Sequence, residues 1–306
     1  MEIKGKKIIV TGGAGFIGSN LVERLCKDNE VCVIDNLHTG SEDNLSHANG
    51  SGSVTFKKID SGDIAEAGFD ADIVYHLGMY SASPMYRDNP LLLGEVASSM
   101  VKVLEYIKKR KIPLVFASTS SIYNGVKPPH KEDAQFFVTD YYTEGRIFAE
   151  RASELYSKLH GCNIAAMRFF SVYGWHEEAK KGYANLVTQF MWDMKEGKSP
   201  AIYGDGNQKR DFVFVDDVVE ALVRASAVKG FEVFNVGAGR SYTINQMVDI
   251  LNKKLGKDIA KKYVKMPVSN YVMETLADTS KAKRLLGFEA QVNLEDGIER
   301  LLKGGK

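Results

Sequence analysis

The 306-residue sequence has few cysteines and no long uninterrupted apolar segment. Its three cysteines, Cys26, Cys32 and Cys162, lack the spacing of a metal site, and their odd number argues against a disulfide framework. They indicate buried or incidental thiols in a reducing compartment. No apolar run is long enough to cross a bilayer, and the N-terminus leads directly into a strand-like segment without the features of a signal peptide. We therefore expect a cytoplasmic protein with no membrane partner.

The sequence also lacks an excess of charge of either sign. Lys and Arg number 40 and Asp and Glu 39, so the formal net charge is +1, and no block of basic residues occurs. This balance argues against a nucleic-acid partner. Apolar residues make up 44% of the chain and charged residues 26%, which is typical of a globular protein. The length suffices for one large α/β core and a smaller lobe.

A glycine-rich segment near the N-terminus is the most informative feature that is present. A β-branched run at residues 8–10 is followed by Gly12, Gly15 and Gly18 and then by a helix-like segment. Gly12 can form the tight turn, Gly15 lets the backbone approach a pyrophosphate, and Gly18 lets helix and strand pack closely. The N-terminus of the helix offers free N–H groups to the phosphates. A second strand-like run ends at Asp35, at the spacing where a carboxylate binds ribose hydroxyls.

Asp35 also indicates which dinucleotide would bind. A carboxylate at this position repels a 2′-phosphate, and neither Arg nor Lys occurs at residues 36–40, so NAD is favoured over NADP. The competing interpretation is a ligand-free turn in which Asp35 is only a cap. We favour the cofactor, because the alternative requires the strand, glycines, helix and terminal acid to coincide by chance.

The order of elements predicts the fold class. Strand-like and helix-like patterns alternate through the first half, which predicts an α/β fold: a Rossmann doubly wound parallel sheet covered by helices. The predicted strands are at 8–10, 31–34, 54–59, 73–77, 114–117 and 164–170, and the long helices are at 91–109 and 142–160. We expect an NAD-binding domain at 1–172, to which a strand near 233–237 returns, and a smaller substrate-binding lobe at 173–306. Within that lobe we expect a helix over 186–194 and a glycine-rich hairpin over 201–214.

Two segments carry candidate catalytic groups. Tyr142 and Arg146 are four residues apart and share one face of the second long helix, where the cation would favour an ionised phenolate that can act as a base. Thr119 lies in a run of hydroxyl residues after a predicted strand and could hold a substrate alcohol or relay its proton. Ser118, Ser120 and Ser121 compete for that role. The alternatives are a packing role for Tyr142, a surface pair for Arg146 and turn-capping hydroxyls.

These motifs resemble those of the extended short-chain dehydrogenase/reductases, and among them the NAD-dependent nucleotide-sugar epimerase/dehydratase family, whose best-known activity is UDP-glucose 4-epimerase. The resemblance extends over nearly the whole chain. Its landmarks are residues 11–18, 35–37, 60, 76–77, 118–119, 142, 168–174 and 204–212.

The resemblance assigns roles to individual residues. It implies that Tyr142 is the base, that Thr119 is the catalytic hydroxyl and that Arg146 replaces the family's lysine. The implied cofactor-binding residues are Gly12, Gly15, Phe16, Ile17, Gly18, Asp35, Asn36, Leu37, Thr39, Gly40, Asp60, Ser61, Leu77, Gly78, Met79, Tyr142, Arg146 and Phe170. The implied substrate-binding residues are Tyr80, Thr119, Ser171 and Arg210. For Arg210 the alternative is a salt bridge to Asp211 or Asp216.

The resemblance also implies an activity and an assembly. We expect reversible epimerisation of a UDP-sugar at C4 through transient oxidation by NAD, with no metal. His76 is interpreted as a buried strand-end histidine rather than a zinc ligand. The two long helices resemble the pair through which relatives dimerise, so a homodimer is expected. The apolar positions 148, 152, 155 and 159 of the second helix could equally belong to the core of the monomer.

Several positions depart from the family pattern. Glu95 and Ser171 stand where relatives carry Asn, and an Arg-x-Gly-Asp segment is replaced by residues 268–271, so that Lys265 is a candidate for the missing cation. Ser120 and Ser121 stand where dehydratases of the family carry an acid/base pair, and Ser121 stands where decarboxylases carry a glutamate. Both activities are therefore disfavoured. The alternatives are a protein that binds NAD and a nucleotide sugar with altered catalysis, or another such enzyme: a uronate epimerase, dehydratase or reductase.

Overall fold

A seven-stranded parallel sheet is the centre of the computed structural model, which describes residues 2–48, 53–266 and 271–304. The strands of the described residues are β1 (Lys7–Thr11), β2 (Glu30–Ile34), β3 (Val54–Lys57), β4 (Ile73–His76), β5 (Leu114–Thr119), β6 (Ile164–Phe169), β7 (Ser171–Tyr173), β8 (Ala201–Tyr203), β9 (Lys209–Phe214), β10 (Phe231–Val236), β11 (Ser241–Thr243) and β12 (Lys262–Val264). The α-helices are α1 (Phe16–Leu25), α2 (Ser83–Asp88), α3 (Leu92–Arg110), α4 (Tyr141–His160), α5 (Leu186–Lys195), α6 (Val215–Ala225), α7 (Ile244–Leu255), α8 (Ser280–Leu286) and α9 (Leu294–Lys303).

The strand order confirms the predicted Rossmann doubly wound fold. The sheet runs β3-β2-β1-β4-β5-β6-β10, and every neighbouring pair is parallel. Ile8, Ile9 and Val10 of β1 are fully buried, because helices cover both faces of a parallel sheet. The order reverses between β1 and β4, and ligands of this fold bind in the crevice at such a point.

The last strand of the sheet comes from late in the chain. β10 pairs with β6 in the register Phe231↔Ile164 to Val236↔Phe169. It covers the segment near 233–237 for which the sequence predicts a strand that returns to the first domain. The domain boundary near residue 172 stays a prediction.

The expected hairpin over 201–214 is wrong. β8 pairs with β12, whereas β9 lies between β7 and β11 in a separate three-stranded sheet. The two strands differ in burial: Phe212, Val213 and Phe214 of β9 are buried in the core, while β8 buries Ile202 between two exposed residues. The glycines between them resemble a hairpin turn in sequence, but tertiary burial determines the partners.

The two long helices bury different kinds of residue. On α3, Val96, Met100, Val103 and Ile107 are buried as their spacing predicts. On α4 the buried face is instead polar and aromatic, and it includes Tyr142 and Arg146. Three of the four apolar positions named from the sequence, residues 148, 155 and 159, are exposed by 38%, 53% and 66%. That stripe therefore does not belong to the core of the monomer. Among the described residues, no helix has the length and apolarity to span a bilayer.

Candidate active site

A cavity of about 790 Å³ lies along the carboxyl ends of the central strands and collects nearly all the predicted site residues. Of those residues it is lined by Gly12, Gly15, Phe16, Ile17, Gly18, Asp35, Asn36, Thr39, Gly40, Asp60, Ser61, Leu77, Gly78, Met79, Tyr80, Thr119, Tyr142, Arg146, Phe170, Ser171 and Arg210. Leu37 is the exception. Its side chain packs, partly buried, against the hydrophobic core, because the residue adopts a left-handed φ of 61° where the chain turns after β2.

The glycine-rich turn has the close contacts that its spacing predicts. Gly12 has a φ of +69°, and a Cβ there would lie 2.6 Å from the backbone nitrogen of Gly78. A Cβ on Gly18 would lie 2.0 Å from the carbonyl oxygen of Gly12, so only glycine lets α1 approach β1 this closely. Gly15 caps α1 without a side chain, and the N–H groups of the first turn therefore stay available to an anion. This turn fits the pyrophosphate of a dinucleotide.

The side chain of Asp35 accepts hydrogen bonds from the backbone and also forms part of the cavity wall. Its Oδ2 accepts a hydrogen bond from the N–H of Ala14 (3.0 Å), and its Oδ1 accepts one from the N–H of Leu37 (2.8 Å). Burial raises the pKa of the Asp35 carboxyl, and these hydrogen bonds oppose the rise. Each carboxylate oxygen has a further lone pair, which is suited to a ribose hydroxyl. Nearby, Asn36 donates to Asp60 (2.6 Å) at the same end of the cavity.

Tyr142 and Arg146 contact each other in the lining of the same cavity. The guanidinium carbon of Arg146 lies 5.1 Å from the centre of the Tyr142 ring, within the range of a cation–π contact. Its Nη2 donates to the carbonyl of Tyr80 (2.8 Å). Arg146 is 3% exposed, which excludes the alternative of a surface pair. Tyr142 is 9% exposed and also packs edge-on against Tyr86, so its ring is both a core contact and part of the cavity wall.

The charge of Arg146 also acts on His76, which is fully buried at the end of β4. Burial, together with the charge of Arg146, lowers the pKa of His76 to about 3, so the imidazole is neutral at physiological pH. Its Nδ1 shares a hydrogen bond with the hydroxyl of Thr11 (2.8 Å). This is the buried strand-end histidine that the sequence indicates.

Hydrogen bonding separates the competing hydroxyls at the end of β5. The hydroxyl of Ser118 donates to Glu150 (2.5 Å), so this O–H is not available to a substrate. The hydroxyl oxygen of Thr119 accepts the N–H of Ser121 (3.1 Å), which leaves its own O–H free to be donated. Thr119 lines the cavity and is 5% exposed. The geometry therefore favours Thr119 over Ser118, while Ser120 and Ser121 also line the cavity.

A buried ion pair behind these residues is missing from the sequence predictions. Glu150 accepts two hydrogen bonds from Arg168, at 2.9 and 2.7 Å, and the two side chains are 7% and 3% exposed. Arg168 also donates to the phenol of Tyr123 (2.7 Å). The pair joins α4 to β5 and β6, the elements that carry Tyr142 and Thr119. Glu150 lies eight residues after Tyr142 on the same helix face, and this spacing is the signal that could have identified it.

Arg210 makes neither of the salt bridges considered from the sequence. Asp211 accepts the backbone N–H groups of Ala238, Gly239 and Ala277 instead. Arg210 lies beside Tyr271, with 5.1 Å between its guanidinium carbon and the ring centre, and its Nη1 donates to the carbonyl of Lys209. Burial lowers the pKa of Arg210. The replaced Arg-x-Gly-Asp segment falls mostly on residues 268–270, which lie outside the described residues.

The cavity contains further polar residues that sequence reasoning did not assign. They include Lys102, Lys180, Tyr183 and Asn185. The last three follow β7, in a polar loop with no periodic pattern to indicate which side chains turn inward. Glu95 also lines the cavity, and its carboxylate accepts the phenol of Tyr80 (3.0 Å).

Comparison with known proteins establishes the family. Residues 8–237 match the model of the NAD dependent epimerase/dehydratase family, which is more than half of the chain. The chain belongs to this family. Membership makes it an NAD-dependent enzyme and confirms both the resemblance and the predicted cofactor.

One relative and two solved structures match this chain along nearly their whole length. A putative UDP-glucose 4-epimerase of Methanocaldococcus jannaschii is 32% identical, over 96% of this chain and 97% of that protein. The structure of UDP-glucose 4-epimerase from Thermotoga maritima with UDP-glucose superposes with a TM-score of 0.90 at 30% identity, over 97% of both chains. UDP-glucuronic acid 4-epimerase from Bacillus cereus, in complex with UDP-glucuronic acid and NAD, superposes with a TM-score of 0.84 at 28% identity, over 96% of both chains.

Proposed function

We propose that this enzyme interconverts the C4 epimers of a UDP-sugar, with UDP-glucose and UDP-galactose as the leading pair. The observation that carries the proposal is that Tyr142, Arg146 and the free O–H of Thr119 line the same cavity as the glycine-rich turn. The M. jannaschii and T. maritima relatives both carry the name of a UDP-glucose 4-epimerase. Bound NAD supplies the hydride acceptor for this chemistry.

The side chains divide the work at C4 between them. Tyr142 removes the proton of the C4 hydroxyl as a general base and returns it when the ketone is reduced. Arg146 positions this phenol, because its buried guanidinium lies 5.1 Å from the ring centre and is held in place by the carbonyl of Tyr80. Thr119 donates its free O–H to the substrate oxygen. The diphosphate is bound away from the reacting carbon, partly by Arg210, so that the sugar can turn without leaving the enzyme.

The test is an epimerisation assay with a matched pair of variants. The purified enzyme is given UDP-galactose, UDP-glucose, their N-acetyl forms and UDP-glucuronate, and products are followed by NMR. Tyr142→Phe is expected to lower kcat by at least about a hundredfold without releasing NAD, since it removes the base and keeps the ring. Tyr141→Phe, at the exposed neighbouring position, is the control and should retain wild-type turnover. No turnover of any of these sugars by the wild type, or wild-type turnover by Tyr142→Phe, contradicts the proposal.

We also propose a homodimer formed through α3 and α4. The two helices pack side by side, and α4 exposes Phe148, Leu155 and Leu159 on one stripe. Leu91, just before α3, is 76% exposed. An apolar stripe of this kind is typical of an interface between subunits. Light-scattering mass measurement of the purified protein gives the subunit number directly.

A further inference from the structure

The loop after β7 brings a lysine into the cavity beside the first residue of α1. Lys180 lies in the short 3-10 segment Glu178–Tyr183 and lines the cavity together with the first turn of α1. Its Nζ is 5.3 Å from the centre of the Phe16 ring. Phe16 is the first residue of α1, and its N–H belongs to the turn that fits a pyrophosphate. The ammonium group therefore lies beside an anion-binding turn.

Within the described residues, the Lys180 ammonium differs from the other cations of the cavity because it contacts the Phe16 ring but has no hydrogen bond or ion pair. Lys102 pairs with Asp63 (2.7 Å), and Arg146 and Arg210 donate to backbone carbonyls. Across residues 2–48, 53–266 and 271–304, no hydrogen bond or ion pair of the Lys180 ammonium occurs. Burial lowers the pKa of Lys180, and the negative charge of Glu177 opposes that fall. A buried cation without a hydrogen bond or ion pair is strongly stabilised when an anionic ligand binds to it.

The carboxylate of Glu177 does not hydrogen-bond to the Lys180 ammonium, because it accepts hydrogen bonds from other groups of the loop and of α5. It accepts the N–H groups of Gly174 (3.1 Å) and Asn185 (2.6 Å) and the hydroxyl of Thr188 (2.6 Å). These bonds join the two ends of the loop, and Asn20 of α1 donates to the carbonyl of Trp175 within it (3.0 Å). Glu177 is thus a positioning residue, and Lys180 is the charged group that the loop presents.

We propose that the Lys180 ammonium binds a diphosphate oxygen of the dinucleotide held at the N-terminus of α1. The inference rests on the proposed function for the identity of the second ligand, since a sugar nucleotide also carries a diphosphate. The position of Lys180 beside Phe16 assigns it to the cofactor. Backbone N–H groups and a side-chain cation would then both contact the same diphosphate.

The experiment measures cofactor exchange separately from turnover. Holoenzyme is mixed with an excess of isotopically labelled NAD, and the rate at which label enters the protein is followed after rapid desalting. Lys180→Met should exchange about 10- to 100-fold faster than the wild type, the range for loss of one charge-assisted hydrogen bond. Lys180→Arg should recover most of the difference. Lys181→Met is the matched control, because Lys181 is adjacent, exposed and outside the cavity wall.

A second measurement identifies the diphosphate. UDP binding to the holoenzyme is measured by calorimetry for the same variants, and Lys180→Met should leave its affinity within about twofold of wild type. An unchanged rate of NAD exchange in Lys180→Met overturns the proposal. If UDP binding is also weaker in that variant, Lys180 is assigned to the sugar nucleotide instead. Both readouts are independent of epimerisation, so failure of the proposed function would appear as absent turnover with this exchange pattern intact.

Discussion

The buried Arg168–Glu150 pair gives a stability prediction that can be worked out from the structure. Arg168→Met keeps much of the side-chain volume but removes two of the three hydrogen bonds that Glu150 accepts, leaving the hydroxyl of Ser118. It also removes the hydrogen bonds from Arg168 to the phenol of Tyr123 and the carbonyl of Glu132. Because an uncompensated charge then remains buried, we expect the free energy of unfolding to fall by about 3–5 kcal/mol.

Urea unfolding followed by circular dichroism measures this change, provided the slope with denaturant stays constant. Lys158→Met is the control on the same helix. It breaks an exposed pair with Glu154 and should cost less than about 0.5 kcal/mol. The double variant Arg168→Met/Glu150→Met should be more stable than Arg168→Met alone, because it removes the orphaned carboxylate as well. A loss below 1 kcal/mol in the single variant, or a double variant that is less stable than it, would refute this reasoning.

Three further predictions concern pH, the glycine turn and assembly. Burial raises the pKa of Asp211 to about 6, so the folded state binds more protons than the unfolded state between pH 3.8 and 6, and its contribution to stability falls as pH rises through that window. Between pH 4 and pH 7, the free energy of unfolding of the wild type should therefore fall by up to about 3 kcal/mol relative to that of Asp211→Asn. Urea unfolding at each pH measures this change. A difference between the two proteins that stays constant with pH would contradict the shifted pKa. Gly18→Ala should lower the NAD retained per chain after purification, because its Cβ would lie 2.0 Å from the Gly12 carbonyl oxygen; full retention would show that the turn tolerates a side chain. The double variant Leu155→Glu/Leu159→Glu should be monomeric by light scattering. Its melting temperature should fall by no more than a few degrees, since both residues are exposed. An unchanged mass would place the interface elsewhere.

Local sequence signals predict the parts of the site that are themselves local. The turn from β1 to α1 needs glycine at positions 12 and 18 for steric reasons that act within a few residues. Tyr142 and Arg146 share a helix face because of helical periodicity alone. Strand ends follow from apolar runs, although β3 ends at Lys57, two residues before the predicted limit.

Features that depend on long-range packing were not predictable in this way. The partner of β8 is decided by β12, some 60 residues later, and the stripe at 148, 155 and 159 looks the same in sequence whether it faces a core or another subunit. Glu150 pairs with a residue on another strand, which one helix pattern does not reveal. Lys180 lies in an irregular loop whose direction is fixed by the hydrogen bonds of Glu177.

Isotope tracing at the reacting carbon tests the mechanism most directly. The enzyme is incubated with UDP-galactose deuterated at C4 in ordinary water, and the UDP-glucose formed is examined by NMR and mass spectrometry. Transient oxidation by NAD that stays bound predicts that the deuterium remains at C4 in the product and that solvent hydrogen does not enter. Exchange of the C4 label with solvent hydrogen during conversion would contradict the account.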